Sequence, residues 1–184
     1  MQRIFSALVL CTIVITGTLA SSPIHAAVQT NDPTAVRNAV SNGADVDEVD
    51  DLGLTPLVAA VLRDHLRAAA ALMKLGADVT IPGNDGYTPM HIAAQLGHGK
   101  IVKMMLRYDR VNAQEMHSDG LAAFHRACLG DSAGHTDALF AFLEAGVPPD
   151  LPTTSGVRPI DIAGSENSRI LLMEALQEQR RARK

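Results

Sequence analysis

The sequence predicts an all-α solenoid of about four repeats, with short hairpin or loop fingers, preceded by an N-terminal half unit that caps the stack. Two repeated motifs support this prediction. Gly43-Ala44-Asp45-Val46 returns as Gly76-Ala77-Asp78-Val79, and Gly53-x-Thr55-Pro56-Leu57 returns as Gly86-x-Thr88-Pro89-Met90, each 33 positions later. A period of about 33 residues, built from a turn and two short helices, is typical of solenoids whose units bury their apolar faces only against neighbours.

Each period contains signals for an inner and an outer helix. Thr88 is placed to cap the inner helix by accepting a backbone N–H, and Pro89 suits the first helical position because its missing N–H would have no intrahelical partner. An apolar stripe at helical spacing predicts the buried face of the outer helix, with Ile101, Met104 and Met105 on it.

The segment Thr88-Pro89-Met90-His91-Ile92-Ala93-Ala94, followed by Gly97-His98 and Ile101-Val102-x-Met104-Met105-Leu106, resembles the ankyrin repeat. The resemblance extends over residues 32–180. It implies a finger, an inner helix, a tight turn, an outer helix and a return loop in each unit. Units of this kind stack into a curved surface that binds other proteins.

The predicted units follow one another along a single domain, residues 27–184. They are the half unit at 32–47, repeat one at 50–82, repeat two at 83–116, repeat three at 117–152 and a capping repeat at 153–184. Asp109-Arg110-Val111 predicts an irregular last turn in repeat two. Repeat three has about three extra residues before Gly134-His135, which are expected to loop out between its helices. The polar end of the last repeat is what a terminal cap requires.

The N-terminal segment predicts export. An apolar run from Ile4 to Leu19 follows Arg3, and small residues lie beyond it. This pattern is typical of a secretory signal peptide, here residues 1–26, cleaved after Ala26 or alternatively after Ala20. An uncleaved anchor helix is the other interpretation. The cleaved protein is expected to be periplasmic or secreted, monomeric and without membrane attachment.

Charge and cysteine content exclude several classes of function. Removal of Arg3 with the signal leaves 15 basic and 20 acidic residues, a net charge of −5, which argues against nucleic-acid binding. The acids cluster at the first finger, at Asp45, Asp47, Glu48, Asp50 and Asp51. Such a cluster predicts either a basic partner or a solvated edge. Cys128 is then the only cysteine, so no internal disulfide can form.

The candidate binding residues lie on the fingers and inner helices, where the resemblance places binding. An apolar residue precedes each Thr-Pro position, at Leu54, Tyr87, Leu121 and Val157. If the fingers align, these residues form an apolar column. Its polar border and its extension onto the inner helices add Asp51, Leu52, Asn84, Asp85, Ser118, Asp119, Leu62, Arg63, Gln95 and Leu96. The alternative is that each column residue packs against the next finger.

The sequence gives little support for a cofactor or for catalysis. His91 and His125 occupy the position where the family's histidine hydrogen-bonds the neighbouring loop. His125 and Cys128 lie three apart on one helix, but two ligands are too few for a structural metal site, so a buried thiol is expected. No nucleophile stands beside a base, and no glycine-rich phosphate loop is present. We therefore expect no cofactor and no enzymatic activity.

The expected function is protein binding. In size, signal peptide and repeats the chain resembles small exported bacterial ankyrin proteins that accompany a periplasmic catalase. This resemblance implies an accessory or chaperone factor in oxidative-stress defence. Two alternatives stay open, a periplasmic immunity protein that inhibits a toxin and a secreted effector that binds a host protein.

Overall fold

A computed structural model describes residues 22–108 and 111–183. This part of the chain contains ten helices and no strand, with one isolated bridge between Met116 and Ala122. The helices are α1 Pro23–Gln29, α2 Pro33–Ser41, α3 Pro56–Leu62, α4 Leu66–Lys74, α5 Pro89–Gln95, α6 Gly99–Met105, α7 Ala123–Leu129, α8 Ala133–Glu144, α9 Pro159–Ile162 and α10 Glu166–Ala182. The predicted all-α solenoid is confirmed.

The ten helices form two layers. The inner helices α1, α3, α5, α7 and α9 pack successively on one another, and the outer helices α2, α4, α6, α8 and α10 do the same. The core runs between the layers as one cluster that includes the fully buried Leu57, Leu72, Ile101, Phe124 and Phe142. Each unit therefore buries its apolar face against its own partner helix and the neighbouring units, as a repeat of this period requires.

The finger tips share one hydrogen-bonding pattern. In the first finger, Gly53 N donates to Asp50 O at 2.8 Å and Asp50 N donates to Leu54 O at 3.0 Å. The same pair of bonds closes the later tips around Gly86, Gly120 and Gly156. The four glycines have φ values of 68°, 77°, 84° and 80°, a region that residues with a Cβ rarely adopt.

The N-terminal unit has two helices, because α1 precedes the helix that was expected to stand alone in the half unit at 32–47. Ile24 and Val28 of α1 are fully buried. Pro23 and Asn31 stand 33 positions before Pro56 and Asp64. Asn31 and Asp64 adopt the same left-handed turn, with φ of 51° and 54°. The expected half unit is therefore the second half of a complete repeat that begins at about residue 22.

Side-chain hydrogen bonds tie this first unit to the second. His65 Nδ1 lies 2.8 Å from Val28 O, and Asn31 Oδ1 accepts from Ala68 N at 3.1 Å. Residues 1–21 of the predicted signal peptide lie outside the described residues. Cleavage after Ala26 would divide α1, so this boundary of the predicted domain conflicts with the folded unit.

The extra residues of repeat three do not form a loop between its helices. Three residues join α7 to α8, as three join α3 to α4 and α5 to α6. The insertion is instead absorbed by α8, which has 12 residues where α6 has seven. Ser132 caps this longer helix by accepting a hydrogen bond from His135 N. The expectation that the insertion loops out was wrong because the added residues extend the helix.

Two further expectations concern the irregular last turn of repeat two and the polar terminal cap. Asp109 and Arg110, within the expected irregular turn of repeat two, lie outside the described residues. The terminal helix α10 buries Ser168 and Leu172 and leaves most of its other side chains at the surface.

Within residues 22–108 and 111–183, no helix combines the length and hydropathy needed to span a bilayer.

Candidate protein-binding face

The start of each of the first four inner helices is organised by a hydroxyl, a histidine or both. Thr55 Oγ1 accepts a hydrogen bond from Val58 N at 3.2 Å, as a helix cap does. Thr88 does not cap its helix in this way, because its hydroxyl lies 2.7 Å from His91 Nδ1. The predicted capping bond of Thr88 was therefore wrong. The difference arises because Val58 offers no ring nitrogen to compete with the backbone.

His91 and His125, which occupy the usual histidine position of the repeat, form hydrogen bonds to the next finger, as predicted. His91 Nε2 donates to Glu115 O at 3.1 Å, and His125 Nε2 donates to Leu151 O at 2.8 Å. Since His125 Nδ1 accepts from Ala122 N at 3.0 Å, this ring is neutral and carries its proton on Nε2. Burial lowers the pKa of both histidines, which keeps them neutral near pH 7.

Arg126 joins two units on the inner layer. This residue of α7 is only 7% exposed, and Nη1 donates to Gln95 Oε1 at 3.0 Å. Its Nη2 forms an ion pair with Asp119, and its guanidinium lies 4.3 Å from the centroid of the Tyr87 ring. Arg126 Nε is buried without a hydrogen-bond partner. The guanidinium therefore fixes three of the predicted binding residues within one network.

His117 completes this network from the next finger. Its ring lies 4.0 Å from the Tyr87 ring, centroid to centroid, and Nε2 donates to Asp85 O at 3.2 Å. Its Nδ1 lies 3.3 Å from Asp119 Oδ1. A close ring contact of this kind stabilises the packing between the two fingers. We name Tyr87, Gln95, His117, Asp119 and Arg126 the inter-finger network.

The Asp119 carboxylate is occupied by intramolecular partners. Burial raises its pKa, but hydrogen bonds from Arg126 and from Leu121 N outweigh that effect and hold the pKa below its usual range. Tyr87 Oη lies 3.4 Å from the same carboxylate. Asp119 was predicted as part of a polar border for a partner, whereas its observed contacts stabilise the finger.

The predicted apolar column is only partly accessible. Leu54, Tyr87 and Leu121 are half-buried, and Val157 is 37% exposed. Leu54 Cδ2 lies 3.6 Å from the position that a Cβ on Gly83 of the next finger would take, and Tyr87 stacks on the next finger through His117. At these two positions the structure shows the finger-to-finger packing that was the alternative interpretation.

The predicted polar border lies at the finger tips. Asp51, Asp85 and Ser118 are exposed. Asn84 is also exposed and donates from Nδ2 to the carbonyl oxygen of Leu52, which is half-buried. The Asn84 side chain therefore links two neighbouring fingers. The carboxylates of Asp51 and Asp85 extend into solvent at the same edge of the molecule.

Three exposed apolar side chains of this face lie where the inner helices end. Leu62, Leu96 and Leu129 are 41%, 44% and 48% exposed. Leu62 ends α3, Leu96 follows α5 and Leu129 ends α7, so the three leucines form a row along packed helices. Gln95 is exposed beside this row, and Arg63 is half-buried, with Nη1 donating to Ala59 O at 3.1 Å.

Sequence reasoning missed Arg126, His117 and Leu129 on this face. Leu129 could have been found, because it follows His125 at the interval that separates Leu62 from Val58. Arg126 gives a weaker signal, since an arginine on a short helix is usually solvated. Its burial depends on Tyr87 and Gln95 from the preceding unit, which the repeat motif does not specify.

The described residues contain no group of three or more His, Cys, Asp and Glu side chains that could hold a metal ion. Burial raises the pKa of the Cys128 thiol to about 12. A thiol with this pKa is almost entirely protonated near neutral pH and is a poor nucleophile and metal ligand. Cys128 therefore acts as a small apolar residue of the core, as expected.

Comparison with known families identifies the fold. A family model of ankyrin repeats in three copies matches residues 24–115 and 81–153. The chain belongs to the ankyrin-repeat family. The first match begins within α1, in agreement with a complete N-terminal repeat. Ankyrin repeats typically form protein-interaction scaffolds, although some matched relatives are enzymes that contain ankyrin regions.

Several curated relatives share these ankyrin repeats. Inversin from Canis lupus familiaris is 34% identical over 131 residues, which are 71% of this chain and 12% of that protein. Inversin from Homo sapiens is 37% identical over 120 residues, 61% of this chain and 11% of that protein. A Caenorhabditis elegans homolog of the transient receptor potential cation channel subfamily A member 1 is 29% identical over 143 residues, 78% of this chain and 11% of that protein. The chain thus spans only a small part of these relatives.

Proposed function

We propose that this ankyrin-repeat protein binds a partner protein through the face formed by its finger tips and the ends of its inner helices. The row of Leu62, Leu96 and Leu129 carries the proposal. Each leucine is more than two-fifths exposed at the end of an inner helix whose other apolar residues are mostly buried. Exposed apolar side chains bordered by polar residues are the usual composition of a protein-binding site.

The charge of this face supports a partner with basic side chains. The two segments 43–55 and 76–88, which form the first two fingers, contain seven acidic residues and no Lys or Arg. The outer helices α4 and α6 have the opposite composition, with four basic residues and no acid: Arg67, Lys74, Lys100 and Lys103. Acidic fingers attract a basic partner and disfavour an acidic one, an effect that salt screens.

We further propose that the protein is exported and serves a partner outside the cytoplasm. The apolar run before residue 20 supports export. The candidate partner is a periplasmic enzyme such as a catalase, for which the protein would act as an accessory or chaperone factor. A toxin neutralised in the periplasm and a host protein bound after secretion are the alternative partners.

Affinity purification with matched variants tests this proposal. A tagged chain that begins at Ser21 is used to capture partners from the native compartment, which are then identified by mass spectrometry. The triple variant Leu62→Gln, Leu96→Gln and Leu129→Gln is expected to lose the partner. The control exchanges Phe140 and Met173 for Gln, because both are 46% exposed on outer helices. Capture that survives the triple variant but not the control variant would refute the assignment of the face.

Charge exchange tests the proposed partner chemistry. The exposed side chains of Glu48, Asp51 and Asp85 are replaced by Gln, Asn and Asn. We expect slower association with a basic partner and a weaker dependence of its rate on salt. Asp137→Asn on the outer helix α8 is the control, since its side chain is exposed on the other layer. Equal effects of the two changes would exclude an electrostatic role for the fingers.

A further inference from the structure

We infer that the leader is cleaved between Ala20 and Ser21, six residues before the site that the sequence pattern favours. The inference rests on the proposed export, and it is carried by helix α1. Ile24 and Val28 are fully buried, and His25 is only 4% exposed. A mature chain that began at Ala27 would lack Ile24 and His25 and keep only the last three residues of this helix.

The hydrogen bonds of α1 show that its first residues belong to the fold. His25 Nε2 lies 3.0 Å from Leu54 O, the carbonyl at the first finger, and donates to it because a carbonyl only accepts. His25 Nδ1 lies 3.0 Å from Ser22 Oγ. This is the arrangement of Thr88, His91 and Glu115 in repeat two. Residues 22–25 therefore perform the same structural role as the start of a later inner helix.

Cleavage after Ala26 would also place a charge in the core. The new α-amino group would belong to Ala27, which is 7% exposed and lies in the same core cluster as Ile24 and Val28. An unpaired ammonium group in an apolar environment is strongly unfavourable. The mature protein avoids this charge only if residues 27–29 unfold, in which case it loses its terminal inner helix and exposes the apolar faces of α2 and α3 that pack on it.

The residues before α1 supply one suitable alternative. A signal peptide is cleaved after a small residue with another small residue two positions before it. Ala20 and Thr18 satisfy this pattern, whereas Ser21 has Leu19 at the corresponding position. Cleavage after Ser22 would remove the hydroxyl that contacts His25. Cleavage after Ala20 keeps every residue that the first repeat uses.

Mass spectrometry of the exported protein tests the inference. The full chain with its own leader is produced in a host with a periplasm, and the intact mass of the exported form is measured. We expect a chain that begins at Ser21. Ala20→Gln should abolish formation of this mature species. Ala26→Gln is the matched control, because Ala26 is exposed on α1 and glutamine suits a helix. This control should be processed like the wild type.

The possible outcomes separate the cleavage site from the proposed export. A mature chain that begins at Ala27, and processing blocked by Ala26→Gln but not by Ala20→Gln, would overturn the cleavage site while leaving export intact. A wild-type chain that keeps Met1 would refute cleavable export, and with it this site. A chain that begins at Ser21 in the exported fraction supports both.

Discussion

Replacement of Ile24 by alanine, in a chain that begins at Ser21, tests whether α1 belongs to the folded domain. Ile24 is fully buried, so the change removes three buried carbon atoms. At about 0.8 kcal/mol for each, the transfer free energy is about 2.4 kcal/mol. The residual cavity adds to this, and such exchanges cost about 2–5 kcal/mol in total. We expect the free energy of unfolding to fall by about 3–4 kcal/mol.

Two readouts are needed because a terminal repeat contacts only one neighbouring unit. If the domain unfolds as a whole, each kcal/mol lowers the thermal midpoint by about 2–4 °C, so Ile24→Ala should lower it by roughly 6–16 °C. If the first unit opens alone, its amide hydrogens should exchange about 10²- to 10³-fold faster, since 1.4 kcal/mol corresponds to a factor of about ten. Circular dichroism measures the first effect, and hydrogen exchange followed by mass spectrometry measures the second.

Ala26→Gln, on the exposed side of the same helix, controls for a general effect of changing α1. It should leave the midpoint and the exchange rates nearly unchanged, since surface substitutions usually alter stability by less than about 0.5 kcal/mol. If Ile24→Ala also changed neither quantity, α1 would not be part of the folded domain. The reasoning for cleavage after Ala20 would then fail with it.

Three further predictions concern the inter-finger network and the core. Arg126→Met removes the guanidinium that pairs with Asp119 and donates to Gln95, and it should lower stability by about 1–3 kcal/mol in urea unfolding, since the partly exposed carboxylate keeps its other partners. An unchanged urea midpoint would contradict this. Since folding lowers the pKa of His91 and His125 below 6.5, stability should be complete above pH 6.5 and fall as the pH decreases below it. A urea midpoint equal at pH 7.5 and 5.5 would refute this. The buried Cys128 thiol should resist alkylation at pH 8 until the chain is unfolded, and rapid labelling of the native protein would contradict its burial.

The 33-residue period was sufficient to predict the two-helix units from the second onward, because the turn glycines and Thr-Pro pairs impose strict local geometry. The first unit was missed for a physical reason. Its inner helix begins with Ser22 and Pro23 and contains Ala26 and Ala27, and small residues after an apolar run are also what a cleavage site requires. The two interpretations use the same residues, and only the burial of Ile24 and His25 distinguishes them.

The insertion in repeat three shows a second limit of the motif. Counting positions from Gly97-His98 to Gly134-His135 places the extra residues before the glycine, which suggests a loop. The structure instead starts α8 at Ala133, so this glycine lies in the first turn of the helix. A Cβ on Gly134 would lie 2.0 Å from Gly97 O, and this close approach needs glycine. Gly134 therefore allows close packing against the preceding unit, and it does not lie in the turn between the two helices as Gly97 does in repeat two.

The sequence pointed to the fingers and inner helices as the candidate face but did not reveal the contacts that these residues make within the chain. Leu54 and Tyr87 were identified because the repeat itself does not specify them, and the structure places both against the next finger. The residue type at this position varies between units because each side chain contacts a particular neighbour, as Tyr87 contacts His117. Periodicity describes what the units share, so it cannot reveal a contact that only one pair of units makes.

The inter-finger network has a consequence for how this face would bind. Because Arg126, Asp119 and His117 hold Tyr87 in place, the second and third fingers are ordered before any partner arrives. Binding to ordered fingers loses less conformational entropy than binding to mobile ones, and a preorganised surface therefore binds more tightly for the same contacts. If the proposed face binds a partner, the network residues would contribute to affinity through rigidity, and the exposed Leu62, Leu96 and Leu129 would contribute through direct contact.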